Sequence, residues 1–531
     1  MDCNCTRIAY KETGYFSTII TDYLSEADSL RPFYQHSVTA AGIESAIKNR
    51  AAFQVDRQSL VTHLQEQYSV VPASSIVQER ISSLQSDKTF TVCTAHQPAL
   101  FTGPLYFIYK ILHAIKLADQ LSTEHPEYRF VPVYWMGNED ADLDELGKFY
   151  LGDEKIVWDT KQKGAVGRMN TKGLDKLIHR ISGELTVLPF GKELIDLLTD
   201  AYLGSNDIQT ATFKFINSLF AEYGLVVLIP DSAGLKRQML SIFQDDLFNQ
   251  QPSAIVSSTI EKLGENYKVQ ANPREIYLFY MKDDIRERIV QKGEDFFIYN
   301  STIQFSRQQL EQELVDHPER FSPNVILRGL YQEIILPNIA FIGGGGETAY
   351  WLELKDLFNH FSVPFPMLIL RNSFLLVEGK WNDKIANMDF TINDFFASEQ
   401  DLLTKLVSRQ KNGQLKLASE IDHANQLYHT LKAKAVEIDR SLKEHVEALQ
   451  ARALKPIAEL EKKMLRAEKR KYEAEQRQIH AVKENLFPHD GLQERIHSFM
   501  PYYAKWGSGF LKLLYNNSLT LEQEFVVLSD L

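Results

Sequence analysis

The chain predicts an α/β protein: a Rossmann-like core of parallel strands with insertions, followed by a helical coiled-coil domain. Three observations carry this reading. Short apolar runs alternate with helical patterns, which is how a parallel sheet covered by helices is built. Polar, acidic or glycine-rich loops stand directly after those runs, at the carboxyl ends where open α/β sheets bind ligands. Late in the chain an apolar repeat of seven residues replaces the alternation, as in a coiled coil.

Residues 90–94 (FTVCT) form the first buried strand of the pattern. His96, Gln97 and Pro98 follow, then Thr102, Gly103 and Pro104 ahead of a helix whose Leu105, Ile108, Leu112 and Ile115 repeat at helical spacing. A strand feeding a polar loop and a helix start is a natural seat for phosphate, because free amides and the helix dipole point at the ligand. In that reading His96, Gln97 and Thr102 stand at the rim, the Thr102–Gly103 turn supplies amides, and Lys110 lies two turns inside. An ordinary strand-to-helix turn capped by Thr102 is the plain alternative.

The second strand, residues 130–136 (FVPVYWM), runs into Glu139, Asp140, Asp142, Asp144 and Glu145. Five carboxylates so close together repel one another unless a cation or a basic substrate group sits among them. Mg²⁺ brought with a nucleotide and a substrate amine both suit the place, and an acidic first helical turn is the bland reading. Residues 224–231 make a third buried run ending in Asp231, preceded by an amphipathic helix over 211–222. Between them Arg168 sits on a glycine-flanked loop, able to grip a carboxylate or phosphate bidentately or to serve as a plain turn residue.

Residues 334–342 read as a strand that ends in Gly343, Gly344, Gly345 and Gly346. Four glycines in a row lose much chain entropy on folding, and close backbone approach to a ligand is the usual reason for them. Glu347 stands where a phosphate-binding Walker loop would carry Lys-Ser/Thr, so the run is not such a loop. A last strand, 364–370, delivers Arg371 and Asn372 to the same face.

The 531 residues divide into an N-terminal helical segment (1–85), the core (86–380) with insertions near 150–200 and 255–325, the helical domain (381–490) and a C-terminal segment (491–531) that folds back on the core. Tyr23, Leu24, Leu30 and Phe33 anchor the first segment; Phe296 to Tyr299 reads as a strand in the second insertion. Ser441 to Glu444 has the pattern of a capping box, and Val446, Ala453, Leu460, Ala467 and Ala474 then recur every seventh residue, with Pro456 expected to kink or break the helix. The seam needs a partner, which predicts a homodimer or an internal antiparallel pair. A net charge of −12 argues against a nucleic-acid partner. Three cysteines cannot frame a disulfide scaffold; Cys3 and Cys5 read as a frayed end and Cys93 as a buried thiol. There is no signal-peptide pattern and no apolar run of about 20 residues, so neither secretion nor a membrane span is expected.

Taken in order, HQPALFTGPLYFIYK, VPVYWMGNEDADLDEL, Gly164 to Met169, Phe341 to Trp351, Arg371 to Phe374, and Leu486 to Pro488 with Leu492 to Arg495 form a specific set. The set resembles the bacillithiol biosynthesis cysteine-adding enzymes, from the first strand to the end of the chain and weakly through Tyr23 to Tyr34. The resemblance implies a core akin to class I aminoacyl-tRNA synthetases and cysteine ligases, and a coiled coil that dimerises. It also implies a cytoplasmic, ATP-dependent ligation of cysteine's carboxyl group to the amine of glucosaminyl-malate, with Mg²⁺ as a companion of the nucleotide. Two positions depart from the family pattern: Ala141 where a His is usual and Gly345 where a Pro is usual.

Carboxylate activation, as adenylate or acyl phosphate, needs charge stabilisation at phosphate more than acid–base help. His96, with Gln97 and Thr102, is the expected catalytic group, at the position of that group's signature histidine. Tyr106, Glu139, Asp140, Asp142, Arg168, Arg371 and Asn372 are expected to hold substrates. Gly103, Lys110, Gly343 to Gly346 and Glu347 are expected to hold the nucleotide, and no protein-held metal is expected. A nucleotidyltransferase of the same core, or a coiled-coil scaffold with a degenerate nucleotide site, remains open at this level.

Overall fold

A computed structural model describes residues 3–72, 74–152, 154–270, 273–410 and 417–531. The chain forms two compact units: residues 5–375 with 494–527 make one, and residues 376–493 with short terminal pieces make the other.

The first unit is built on five parallel strands: β1 (Thr89–His96), β2 (Arg129–Met136), β3 (Val226–Leu228), β4 (Asn338–Gly343) and β5 (Met367–Leu370). Their order across the sheet is β5-β4-β1-β2-β3, parallel at every pairing. The chain therefore winds away from β1 on one side through β2 and β3, then returns to its other side with β4 and β5. The crevice between the carboxyl ends of β1 and β4 is the switch point of such a sheet. Near-continuous burial along β1 and β2 explains why they read as unbroken apolar runs rather than alternating ones. Thr91 and Thr94 are tolerated inside β1 because their hydroxyls are paired: Thr91 Oγ1 donates to Asn338 Oδ1 at 3.2 Å and Thr94 Oγ1 to the Ile342 carbonyl at 2.8 Å.

Helix α1 (Tyr106–Glu124) lays Ala114, Leu117, Ala118 and Leu121 into the core cluster with Phe90, Val92, Phe130 and Ile339. Helix α2 (Ile208–Phe220) starts where Asp207 accepts the Thr210 amide, three residues ahead of the expected start. Helix α3 (Val325–Ile335) was not expected. Ile334 and Ile335 belong to its last turn, and β4 begins only at Asn338, after Pro337. An apolar run alone does not separate a helix end from a strand start. Helix α4 (Gly345–Trp351) follows β4 directly, so three of the four glycines are helix start rather than loop.

The first insertion holds a β-hairpin, Lys148–Leu151 with Glu154–Val157, and helices Leu174–Leu185 and Gly191–Leu198. The second contains a five-stranded antiparallel sheet between Leu278 and Pro323, in which the expected strand is Asp295–Ile298. Asn4–Ala9 is a strand, so Cys5 lies in regular structure and not in a frayed end. In the tail, Tyr503 donates to Glu193 at 2.8 Å and the Leu105 amide donates to the His497 carbonyl at 2.8 Å, which fastens residues 497–503 to the first unit.

In the second unit, α5 (Ala418–Ile438) and α6 (Leu442–Lys469) pair as an antiparallel hairpin, with Lys432 on Glu447 and Gln450 on Asn425. Helix α7 (Glu473–Leu486) follows a tight turn over Arg470–Tyr472. Two expectations are corrected here: the seven-residue seam breaks at Arg470–Tyr472, leaving Ala474 on α7, and Ser441 makes no side-chain cap, its amide bonding Asp439 instead. Of the two outcomes expected at Pro456, the break does not occur, since α6 runs through it. Proline removes one donor, and a long helix held on both sides of it absorbs that loss.

Arg50 fastens the N-terminal helix Ala40–Ala51 to the α3–β4 junction. Its guanidinium reaches the Asn338 carbonyl at 2.8 Å, the Glu333 carbonyl at 2.7 Å and the Glu333 carboxylate at 2.6 Å, all buried. Removing one partner leaves the other charge buried alone. Arg50→Ala is expected to destabilise the first unit by about 3–5 kcal/mol in urea unfolding; a loss under about 1 kcal/mol, the size of an exposed pair, would show that the pair is dispensable.

Candidate active site

The ends of β1, β2 and β3 and the start of α3 enclose a cleft of about 420 Å³, lined among others by Gln97, Glu139, Asp140, Arg286, Arg328 and Tyr331. Gly137 makes the floor possible: a Cβ there would lie 3.2 Å from Arg328 Nη1. The glycine-flanked loop packs under the acidic run, with the Val166 amide on the Asp140 carbonyl and the Gly167 amide on the Asn138 carbonyl. A Cβ on Gly167 would overlap that carbonyl at 2.5 Å, which is why glycine stands there.

The five carboxylates do not share one cation. Glu139 is buried against Lys236, which also faces Asp231 at 3.7 Å. Asp142 caps a short helix, Leu143–Leu146, by accepting the Glu145 amide. Asp140 looks into the cleft, where Gln97 donates to it at 3.1 Å. Burial pushes the Asp140 carboxyl up, but Gln97, Arg286, Arg328 and the Ala141 amide outweigh it and hold it below its ordinary value. Among the described residues no three His, Cys, Asp or Glu side chains converge in a way that could hold a metal ion.

Several expected ligand groups are occupied by the protein itself. Arg168 forms a bidentate pair with Asp231 at 2.6 and 2.7 Å. Arg371 is buried on Glu494 at 2.8 Å and also bonds the Asn372 carbonyl and Ser373. Asn372 is buried, its side chain donating to the Leu519 carbonyl and its amide to His113. Neither arginine is free for a substrate carboxylate: each lies beside a conformationally fixed acid that sequence spacing could not reveal. The Thr102–Gly103 turn also differs from its expected role. Thr102 is buried and not at the rim, and both amides are spent on the Ala99 and Leu100 carbonyls. Phe101 and Thr102 take left-handed backbone angles (φ 51° and 74°) to make that turn.

Lys110 is buried between the two strand ends, donating to the Ala95 carbonyl and to Glu347 Oε2 at 2.6 Å. Glu347 in turn accepts the Gly344 amide at 2.8 Å. Lys110 thus braces β1 against the glycine run and is not presented to a ligand. Gly343 is needed for packing, since a Cβ would come within 2.9 Å of the Phe341 ring. At Gly345 the nearest atom to a Cβ would be Ile20 Cγ1 at 3.5 Å, and at Gly346 nothing lies within 4 Å. Neither has a backbone angle that requires glycine, so the fold does not explain their smallness.

His96 faces a second cavity, of about 470 Å³, together with Tyr106 and Asp142. Burial, then Lys110, Arg328 and Arg371, hold its imidazole well below its usual value, so it is neutral. Arg286 and Arg328 escaped the sequence reading, because the first lies in an insertion strand and the second on the unexpected helix α3. Among the described residues the Arg328 side chain bonds the Tyr350 hydroxyl at 3.4 Å and the Arg286 side chain bonds Ser322 at 3.1 Å, with its guanidinium over the Phe279 ring. An arginine among the apolar residues of 325–335 was the one signal available.

A parallel sheet of this order, with a polar cleft at the carboxyl ends of its strands, defines a Rossmann-like protein. Residues 1–372 match the family described as "Bacillithiol biosynthesis BshC, N-terminal Rossmann-like domain", and residues 374–529 match its "C-terminal coiled-coil domain". The chain belongs to the bacillithiol biosynthesis BshC family. A protein of Flavobacterium johnsoniae named "Putative cysteine ligase BshC" is 38% identical over 98% of this chain and 99% of its own. Like-named proteins of Christiangramia forsetii (37%, covering 100% and 99%) and Cytophaga hutchinsonii (38%, covering 93% of each) are similarly close. A solved "putative arginyl t-RNA synthetase" of Campylobacter jejuni overlaps 85% of this chain and 99% of its own at TM-score 0.22 and 13% identity, too slight a likeness to bear on function.

Because Lys110 is a brace, Lys110→Ala should lower stability by about 2–3 kcal/mol, less than a fully buried pair loses, as water can reach Glu347. Thermal and urea melts check this; an unchanged melt would mean that the two strand ends are held without it.

Proposed function

We propose that the chain is an ATP-dependent ligase that activates the carboxylate of cysteine and joins it to the amine of glucosaminyl-malate, forming bacillithiol in the cytoplasm. The observation that carries this reading is the pair Arg286 and Arg328. Both line the cleft at the carboxyl ends of β1 to β3 and face Asp140, without a close ion pair among the described residues. Two half-buried cations that face one carboxylate, Asp140, leave positive charge unbalanced, and phosphate or a substrate carboxylate is the matching chemistry. Gly345 and Gly346, whose smallness the fold does not use, leave room for a nucleotide to approach the backbone. The names of the relatives point to the same reaction class.

A carboxylate is a poor electrophile, so the ligase must first attach a phosphate-based leaving group. Arg286 and Arg328 would stabilise the charge that develops on that phosphate, in a cleft partly shielded from water. Asp140, kept ionised, would orient the guanidinium groups or take the cysteine ammonium. Among the described residues no three His, Cys, Asp or Glu side chains form a cage for a divalent cation.

The test is ligation by the purified chain with ATP, cysteine and glucosaminyl-malate, read by mass spectrometry and by release of phosphate or pyrophosphate. Release should require cysteine; cysteine-independent release would instead mark a nucleotidyltransferase. Arg328→Ala and Arg286→Ala should each lower kcat/KM by about 10²-fold, the usual loss for one preorganised charge donor. Gly346→Ala should melt normally yet raise the KM for ATP; an unchanged KM would remove the glycine run from the nucleotide site.

A homodimer through the helical domain is part of this proposal. Leu427 (58% exposed), Leu431, Ile438 and Leu460 lie exposed on the α5–α6 hairpin, apolar surface that a second copy would cover. Sedimentation of the full chain should give a dimer that Leu427→Asp with Leu431→Asp converts to monomer; a monomeric wild type at micromolar concentration overturns it.

A further inference from the structure

The second cavity shares no lining residue with the arginine cleft, although the same two loops build both. At the end of β1, Gln97 turns into the cleft and His96 into the cavity. After β2, Asp140 turns into the cleft while Asp142, Asp144 and Glu145 line the cavity. The two compartments therefore adjoin across the backbone of these loops, with the arginines on one side and a carboxylate wall on the other.

The cavity has three features that the fold does not consume. The imidazole of His96 has no hydrogen-bond partner among the described residues; it only packs against the Tyr106 and Phe107 rings, at centroid distances of 5.4 and 5.3 Å. Asp144 and Glu145 have no close ion pair among the described residues, and Glu145 is held above its ordinary value by partial burial and then by Asp142 and Asp140, with Lys148 acting the other way. Lys148 and Arg495 line the same cavity and form no ion pair among the described residues. One wall thus suits an ammonium and another suits carboxylates. At about 470 Å³ the space is several times what a single small amino acid fills and falls in the range of a sugar-sized ligand.

We infer that this cavity holds the amine-bearing acceptor: Asp142, Asp144 and Glu145 take its ammonium, Lys148 and Arg495 its carboxylates, and His96 accepts the protons released as the amide forms. The inference rests on the ligase reading and deepens it. The proton balance follows from the chemistry. The ammonium gives one proton to His96, which passes it to water. The freed amine nitrogen then attacks the activated carbonyl carbon. The C–N bond forms and the C–O bond to the phosphate-based leaving group breaks, the oxygen keeping the electron pair. The second nitrogen-bound proton goes to His96 and on to water, leaving the neutral amide. A neutral imidazole, as this one is, can act as such an acceptor without first losing a proton. Tyr106, whose hydroxyl burial pushes up to about 12, stays protonated beside it and can hydrogen-bond the acceptor.

Two measurements on the full chain test this. In calorimetry, the amino-sugar malate should bind the wild type, while its N-acetylated form, which carries no positive charge, should bind at least tenfold more weakly. The Asp142→Asn, Asp144→Asn, Glu145→Gln triple variant, which keeps the helix cap and changes exposed groups, should lose at least tenfold in acceptor affinity. Arg495→Gln, a second exposed site, should weaken it severalfold. In steady state, the triple variant should raise the acceptor KM more than the cysteine KM, and His96→Ala should lower kcat by about 10²–10⁴-fold, with partial rescue by added imidazole. Acceptor binding that is absent in the wild type, indifferent to N-acetylation, or unchanged in the triple variant overturns the inference. A cysteine KM that rises instead of the acceptor KM overturns it too, by giving the cavity to the other substrate. The ligase reading fails separately, when the wild type binds the acceptor but makes no amide.

Discussion

Lys110 joins the two strand ends between which the sheet reverses direction. Its ammonium spans the Ala95 carbonyl on β1 and Glu347 on α4, and Glu347 carries the bond on to the Gly344 amide. A parallel sheet leaves a gap at that point because its crossovers run to opposite sides. A buried cation with two acceptors closes the base of the gap while leaving its mouth open. His96 follows directly on the bridged Ala95, and the glycine run is held through the Gly344 amide that Glu347 accepts.

The distribution of charge around the gap is then a matter of which groups the fold has already used. Arg168 with Asp231, Lys236 with Glu139, and Arg371 with Glu494 are internal pairs with at least one member almost wholly buried. Such pairs fix loops and add little net stability, because desolvation offsets their attraction. Among the described residues lining the two spaces, Arg286, Arg328, Arg495 and Lys148 are cations in no close ion pair, and Asp140, Asp144 and Glu145 are such anions. Unused charge in a concave site marks ligand chemistry more reliably than charge counted along the sequence. Here it separates two compartments that the primary structure presents as one crowded stretch.

The helical unit follows a different rule. Its apolar seam is real, but the second helix of the hairpin satisfies one side of it within the same chain, with polar pairs such as Gln450–Asn425 setting the register. The leucines that remain exposed are those the hairpin cannot cover.

The sequence by itself determined the parallel core, the strands at 90–94 and 130–136, the following helix, the coiled-coil character after residue 398 and membership of the family. These are local periodicities and ordered motifs, set by side-chain alternation and burial along a single element. It also singled out His96, Asp140 and Asp142, because polar residues directly after a buried strand have few other places to go. The roles of Arg168, Arg371, Asn372 and Thr102 were decided only by the tertiary structure, as were the helix over 325–335, the break at 470–472 and the arginine pair of the cleft. Each depends on a partner far away in sequence: Glu494 lies 123 residues from Arg371 and Asp231 lies 63 from Arg168. Whether a charge is spent or free is settled by which distant group the packed core sets beside it, and no periodicity along the chain encodes that.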